Sequence, residues 1–599
     1  MPVLFSLFQT CFNYSIIPSI WYKSIIKPIP KSAKNDPRVP LNYRGISLMS
    51  TVYKLYSSIL NSRLSYYLEV SDTLADEQNG FRKHRACIDH IYTVTTVIKG
   101  RIEEGKSTYA CFIDFQKAFD WVNRDMLFFK LLQSGVDGRF YKAIAALYQV
   151  PVASVQVNDF TTGWFSTPFG VKQGDVLSPS LFAIFVNDLV HEIKNSGLDD
   201  FALSCLLYAD DLVLLAESSD ALQKMLDIVQ VWCSKWRLMI NQSKTQIMHF
   251  RKKGTLRSPQ SFTFGTLSLD YTEAYKYLGF TLDEFMSYDF GIGILADSAG
   301  RAVGSIISKM KFCKDIGYST YSQLYDACVC PILVYAAGVW GFKDVKKVNS
   351  VQNRAIRCFL GVHAFAPSLA IQGDMGWESM EIRQKGEVIR LWNRLINMPE
   401  GRLTKKVFNW DKAHNGPWMK EVFSILREVD MAYIFPNRLC CNINMLKQSL
   451  FCNYKERWSN DIWSKPKLRS YVQIKRCFGI EPYVKSFLTR NQRSLCAQLR
   501  AGILPLAIEV GRFTSVPEEN RICNVCDLND VESEFHFMFY CTLYDDLRVP
   551  LFNAMQEQKP ELFWEDDGQK LEWLFNYEVF KMAHFVSRAW SRRQSQLFK

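Results

Sequence analysis

Two adjacent acids, Asp210 and Asp211, interrupt an apolar stretch that runs from Leu206 to Leu215. Burying neighbouring carboxylates without a cation is costly, because each loses its water shell and each repels the other. A divalent ion removes that conflict, whereas a solvated hairpin tip avoids it. Far upstream, Asp114 closes the apolar run that begins at Tyr109, and a helix-like stretch carrying Phe119 follows it. A strand-ending acid beside an acid-bearing hairpin can hold two divalent cations. Ions about 4 Å apart stabilise both the attacking and the leaving oxygen of a phosphoryl displacement. Alone, each piece is weak: Asp114 serves equally well as a helix N-cap, and Tyr-x-Asp-Asp is a short motif. The chemistry depends on the fold bringing them together.

That requirement dictates the elements. Tyr109 to Phe115 reads as a strand, and Leu206 to Leu215 as two strands hinged at Ala209-Asp210-Asp211. Pro179 to Ile193 reads as a helix. So does Asp220 to Arg237, where Leu222, Met225, Leu226, Val229 and Trp232 align at helical spacing. Residues 24–45, rich in Pro, Lys and Arg, predict extended basic structure. Val52 to Leu68 predicts a helix with Leu55, Ile59 and Leu64 on its apolar side. Leu4, Leu7, Phe8, Cys11 and Phe12 share one helical face, which predicts an amphipathic helix packed on a core rather than a signal peptide. Strands and helices segregated in this way predict an α+β fold with helices on one face of the sheet. Helical periodicity dominates from residue 295 to about 400, and the last two hundred residues read as mostly helical.

Bulk properties agree with this picture but do not single it out. A length of 599 residues predicts three or four domains of roughly 150 residues each. Seventy-two basic against 60 acidic side chains leave a net charge of +12, which suits a polyanionic partner and equally suits a mildly basic protein with none. Seventeen cysteines, most of them alone within apolar runs, read as reduced thiols and point to the cytoplasm or nucleus. The uncharged run Ala327 to Phe342 is shorter than the roughly 20 residues a span needs and contains Pro331, so no membrane segment is expected.

Seven blocks in order carry a family resemblance: Asn42 to Leu48, Gln78 to Lys83, Asp114 to Asp120, Gly170 to Pro179, Tyr208 to Asp211, Asn241 to Thr245, and Tyr275 to Gly279. Together they resemble the reverse transcriptase of non-LTR, LINE-type retrotransposons, most closely the Jockey-related group. The resemblance implies a right-hand polymerase: fingers over 1–107, palm over 108–290, helical thumb over 291–400, and a helical C-terminal region over 401–599. It implies RNA-templated extension of a DNA primer from deoxynucleoside triphosphates. Asp114, Asp210 and Asp211 would bind two Mg²⁺, with the Phe115 carbonyl assisting. Phe119 would fill the space a ribose 2′-hydroxyl needs, and Gln173 and Gly174 would line the sugar and base side of the pocket. Arg44 and Arg82 would hold triphosphate or template, and Lys244 would protonate the leaving pyrophosphate.

A second constellation lies near the C-terminus. Cys523 and Cys526 stand at C-x-x-C spacing, followed by His536 and Cys541, a set able to close a tetrahedral Zn²⁺ site over 523–541. Buried thiols beside a core histidine are the alternative, but four ligand types within one short segment are unusual by composition and favour zinc. The segment resembles the Cys/His segment of such elements, which implies contact with RNA. Cys477 and Cys496 lack such partners and are expected in cores; His84, His90 and His363 form no constellation. Autonomous elements of this kind carry an endonuclease upstream. This chain opens at Met1 within the joining segment, so an endonuclease, if used, is expected in trans, and no RNase H-like run of acids follows residue 400. A folded relic that binds RNA without polymerising is the competing reading.

Overall fold

A computed structural model describes residues 2–31, 36–197, 203–343 and 346–597. The chain forms two compact units: Met1–Tyr288 with Asn397–Met419, and Asp289–Ile396 with Lys420–Lys599.

The first unit is built on a four-stranded antiparallel sheet in the order Cys205–Tyr208, Asp211–Ala216, Thr108–Asp114, Gln246–Phe250. Successive side chains on a strand point to opposite faces, and here that alternation sorts the sequence. Cys111, Ile113 and Phe115 enter the main core, as do Leu212, Leu214 and Ala216. The helices Ser178–Lys194 and Ser219–Trp236 cover that face, with Phe115 and Phe185 both meeting Trp232. Leu222, Met225, Leu226, Val229 and Trp232 are buried as their spacing predicts. On the other face, Phe112 stacks on Tyr275, their ring centroids 4.2 Å apart. Asp114, two residues on from Phe112, and Asp211 belong to this second face.

A separate sheet pairs Lys23–Pro30 with Tyr43–Leu48 and with Val152–Val157. The helix Pro2–Tyr14 sets Phe8 against Trp21 and Tyr56, the core-packed helix expected from its apolar face. The helix Thr51–Val70 forms, but it buries a different side from the one expected. Tyr53, Tyr56, Leu60, Leu64 and Leu68 face inward, while Leu55 and Ile59 are exposed. Aliphatic spacing alone misjudged the face because its buried side is partly aromatic and polar. Tyr53 Oη and Ser57 Oγ donate to buried Asp175 at 2.7 and 2.5 Å. The chain later returns to this unit. Helix Leu403–Ala413 packs on Cys87–Glu103, Thr93 Oγ1 donates to Thr404 at 3.1 Å, and fully buried Tyr92 meets Trp418 edge-on.

The second unit is helical. Pro331 opens a short helix, Cys330–Leu333, and breaks the run Ala327 to Phe342 into pieces. One described helix, Asp289–Phe312, is long and apolar enough to cross a membrane by length and composition. It carries Asp297 and Arg301, and its face of Leu295, Ala299, Val303 and Met310 is buried within the unit, where the helix packs on Lys346–Leu360. Arg500 is fully buried, its charge answered by Asp374 and Glu481 at 3.0 Å each, and Tyr471 and Tyr483 also donate to Asp374. All seventeen cysteines are free thiols. Cys496 is buried as expected, but Cys477 is exposed. It lies in the irregular stretch between the short helices Tyr471–Ile474 and Pro482–Lys485, where its neighbour Phe478 is the side chain turned inward, against Phe451, Tyr454 and Trp458.

Candidate active site

The three acids converge. Asp211 opens the second strand of the hairpin and pairs in register with Tyr208 on one side and Asp114 on the other. Directly opposed residues of antiparallel strands lie about 5 Å apart between Cα atoms. Asp210 occupies the turn, following Ala209, whose φ is +58°. Burial, with repulsion from Asp114, raises the Asp210 carboxyl above its ordinary range. Burial, then Asp210 and Asp114, push Asp211 up to about 6. These are the shifts expected of acids gathered where positive charge is short. The groups that answer them are few: Lys244 Nζ donates to both oxygens of Asp114 at 3.2 Å, and Asn241 Nδ2 donates to Oδ2 at 3.1 Å. Arg44, exposed on its strand, is close enough to act on Asp210 and Asp211 through charge.

The turn has a close neighbour. Gly80 lies so near it that a Cβ built there would stand 2.2 Å from the Ala209 nitrogen. Gly80→Ala is therefore expected to displace the turn that carries Asp210. Misplacement of reacting groups by about 1 Å lowers rates on the order of 10²-fold, so steady-state turnover should fall by that order while circular dichroism still reports a folded chain. Unchanged turnover would show that the contact is slack.

Around the acids stand the other residues singled out from sequence. Phe119 is half-buried and stacks on Phe182, centroids 4.7 Å apart. Its carbonyl accepts from Val171 N at 2.8 Å, which ties it to the loop holding Gln173 and Gly174. Gln173 O in turn accepts from Ser47 N at 2.8 Å, on the strand that bears Arg44. Gly174 has φ +109° and sits against the Ser47 carbonyl, a conformation and an approach that suit glycine. The Phe115 ring belongs to the core. Arg82 does not join the site. Its guanidinium is buried in a fork with Glu69 (2.7 and 2.9 Å) and also donates to the carbonyls of Ala75 and Gln78. With Nε, Nη1 and Nη2 each donating within the protein, Arg82 braces its own loop.

Sequence reasoning gave no role to four residues here, although each lies within a matched block. Asn241 belongs to a recognised block, but its hydrogen bond to Asp114 depends on a tertiary turn. Tyr275, on the open face, senses Asp211 and Asp114, and its hydroxyl is raised by burial first. Asp175 anchors the 171–178 loop through Tyr53 and Ser57. Gln78 contacts the turn itself. A polar residue of extreme burial is the signal that marks Asp175 and Gln78, and burial is not visible in one sequence.

In the second unit, one ligand atom each from Cys523, Cys526, His536 and Cys541 lies within 4.8 Å of the others. The sulfurs of Cys523 and Cys541 are 4.0 Å apart, and Cys526 Sγ is 3.4 Å from His536 Nε2. Sharing a proton with Cys541, together with burial, pushes the Cys523 thiol up to about 12. Of the remaining histidines, His90 is buried, with burial depressing it to about 3.

Residues 29–282 match the family described as reverse transcriptase (RNA-dependent DNA polymerase). The chain is 25% identical over 402 residues to a probable RNA-directed DNA polymerase from transposon BS of Drosophila melanogaster, covering 65% of this chain and 44% of that protein. It is 26% identical over 343 residues to the RNA-directed DNA polymerase from mobile element jockey of Drosophila funebris, covering 56% of this chain and 37% of that protein. The chain thus spans less than half the length of these relatives. Apo telomerase from Candida Tropicalis aligns with 68% of this chain and 73% of its own, at 12% identity and a TM-score of 0.35, too loose to carry an argument. The family match encloses all three converging acids, and the relatives are named as RNA-directed DNA polymerases of mobile elements: residues 29–282 form a reverse transcriptase domain similar to those of LINE-type, non-LTR retrotransposons.

Proposed function

We propose that the chain is an RNA-directed DNA polymerase that extends a DNA primer on an RNA template by nucleotidyl transfer. The observation that carries this reading is the meeting of Asp114, Asp210 and Asp211 on one sheet face, two of them held above their ordinary range. Acids so placed fit divalent cations, and Asp114, Asp210 and Asp211 would hold two Mg²⁺. Such ions, when bound, supply the charge that favours ionisation of the primer hydroxyl and neutralises the departing phosphate.

The chain's own residues do the rest. Lys244, on the Asp114 carboxylate here, holds at Nζ a proton suited to the leaving pyrophosphate. Arg44 presents a planar fork for phosphate. Gln173 and Gly174 let the sugar and base approach the loop backbone. Phe119, fixed by Phe182, closes the space beside C2′ of an incoming nucleotide. Residues 1–107, 108–290 and 291–400 then serve as fingers, palm and thumb, and 401–599 as a helical C-terminal region whose segment 523–541 engages RNA. Cys523, Cys526, His536 and Cys541 would hold Zn²⁺ there, since three thiols and a buried imidazole so close suit one tetrahedral ion. Free thiols throughout suit a reducing compartment, the cytoplasm and nucleus.

The test is primer extension on an RNA template with Mg²⁺, set beside a DNA template of the same sequence. Template-directed incorporation on RNA is expected. No incorporation while RNA is still retained would leave only a binding relic. Phe119→Ala tests the pocket further. Walls of this kind discriminate against one added hydroxyl by about 10²-fold, so the preference in kcat/KM for deoxynucleotides over ribonucleotides should fall by roughly that factor. An unchanged preference places the 2′ discrimination elsewhere.

A further inference from the structure

The turn that bears Asp210 is held from behind by a side chain outside the carboxylate cluster. Gln78 has no exposed surface. Its Oε1 accepts from Ala209 N at 3.0 Å and from Gly80 N at 2.8 Å, and its Nε2 donates to Ala209 O at 3.3 Å. One carboxamide therefore serves both the N–H and the C=O of a single turn residue. That residue is buried and left-handed, at φ +58°, a region that alanine rarely occupies. Buried backbone groups must find partners, and an amide side chain offers an acceptor and donors on separate atoms of one planar group. Two accepted N–H groups also fix which way round the amide lies.

The loop supplying Gln78 is itself held on both sides. Leu207 N donates to Glu77 O, and Asn79 N to Leu207 O, each at 2.9 Å, so the loop runs as an added strand beside the hairpin. Behind it, Arg82 donates to Gln78 O at 3.0 Å, and Asn79 Oδ1 accepts from Arg85 at 2.9 Å and from Arg402 at 3.4 Å.

We propose that Gln78 is a positioning residue for polymerisation: it locks Ala209 in its left-handed conformation and thereby aims Asp210. This inference rests on the polymerase reading. Gln78→Met keeps the length and volume and removes every side-chain hydrogen bond. Its kcat is expected to fall on the order of 10²-fold. The KM for deoxynucleotide should stay within about 2-fold, since uniform binding is untouched, and the Mg²⁺ concentration giving half-maximal rate should rise. Hydrogen exchange should quicken in peptides spanning 203–216 but not in those spanning 246–250.

Leu226→Ala, a cavity in the helix behind the sheet, is the control for general destabilisation, with both variants assayed well below their melting temperatures. If the control loses kcat in proportion to its melting temperature and Gln78→Met falls on the same line, Gln78 is merely structural and the proposal is overturned. A kcat for Gln78→Met within about 2-fold of wild type overturns it as well. Should wild type itself incorporate nothing, the polymerase reading falls. Exchange at 203–216 then decides alone: faster exchange in Gln78→Met keeps the lock on the turn, and unchanged exchange overturns it.

Discussion

Asp211→Asn is expected to raise the melting temperature in metal-free buffer at pH 7 while lowering primer extension by at least about 10³-fold. Both effects have one origin. Burial and two neighbouring acids push Asp211 up to about 6 in the folded chain. A carboxyl raised in this way contributes stability that is complete below its unfolded value near 4 and is lost as pH rises through 6. The metal-free wild type should therefore weaken from about pH 4 to pH 6 and recover on addition of Mg²⁺. Asn carries no charge to desolvate, so the variant should lose that slope. The ceiling is about 3 kcal/mol, from roughly two pH units at 1.36 kcal/mol each; because the acids are only partly buried, about 1–2 kcal/mol is expected. Melting curves across pH with and without Mg²⁺, beside single-nucleotide extension, check both halves. A variant that polymerises within about tenfold of wild type would remove Asp211 from the chemistry.

The Cys/His set has the second large effect, on folding rather than turnover. Protein purified without chelator should carry close to one zinc per chain, and Cys526→Ala or His536→Ala close to none. Binding free energy at a structural zinc site is folding free energy. Loss of the ion should cost about 3–5 kcal/mol locally, a fraction of the roughly 10–16 kcal/mol such sites reach in isolated fingers. Hydrogen exchange over 521–545 should quicken sharply in either variant and after strong chelation, while the sheet carrying the acids keeps its protection. Wild-type protein free of zinc, with slow exchange in that segment, would mean that the thiols are simply packed.

Much of this was legible in the residues. The palm-type strands could be drawn because their apolar runs end on acids, and the helix Ser219–Trp236 because five apolar positions repeat at its period. Asp114, Asp210, Asp211 and Lys244 come together where ordered motifs placed them. What escaped were features decided by tertiary burial. The helix Thr51–Val70 turns Tyr53 and Ser57 inward because Asp175 needs donors, and no count of aliphatic side chains reveals that. Arg82 reads as a free phosphate fork until Glu69 and two carbonyls are seen to occupy it. Gln78 stands beside Asn79 and Gly80 as one more polar loop residue, and its importance exists only relative to a turn residue 131 positions later.

The return of residues 397–419 to the first unit bears on where this protein can be cut. A fragment stopped at Tyr288 keeps every acid, yet it strips Tyr92 and Thr93 of Trp418 and Thr404, and it deprives Asn79 and Asp76 of Arg402. A minimal fragment is therefore better made by splicing the later segment back on through a short linker than by truncation.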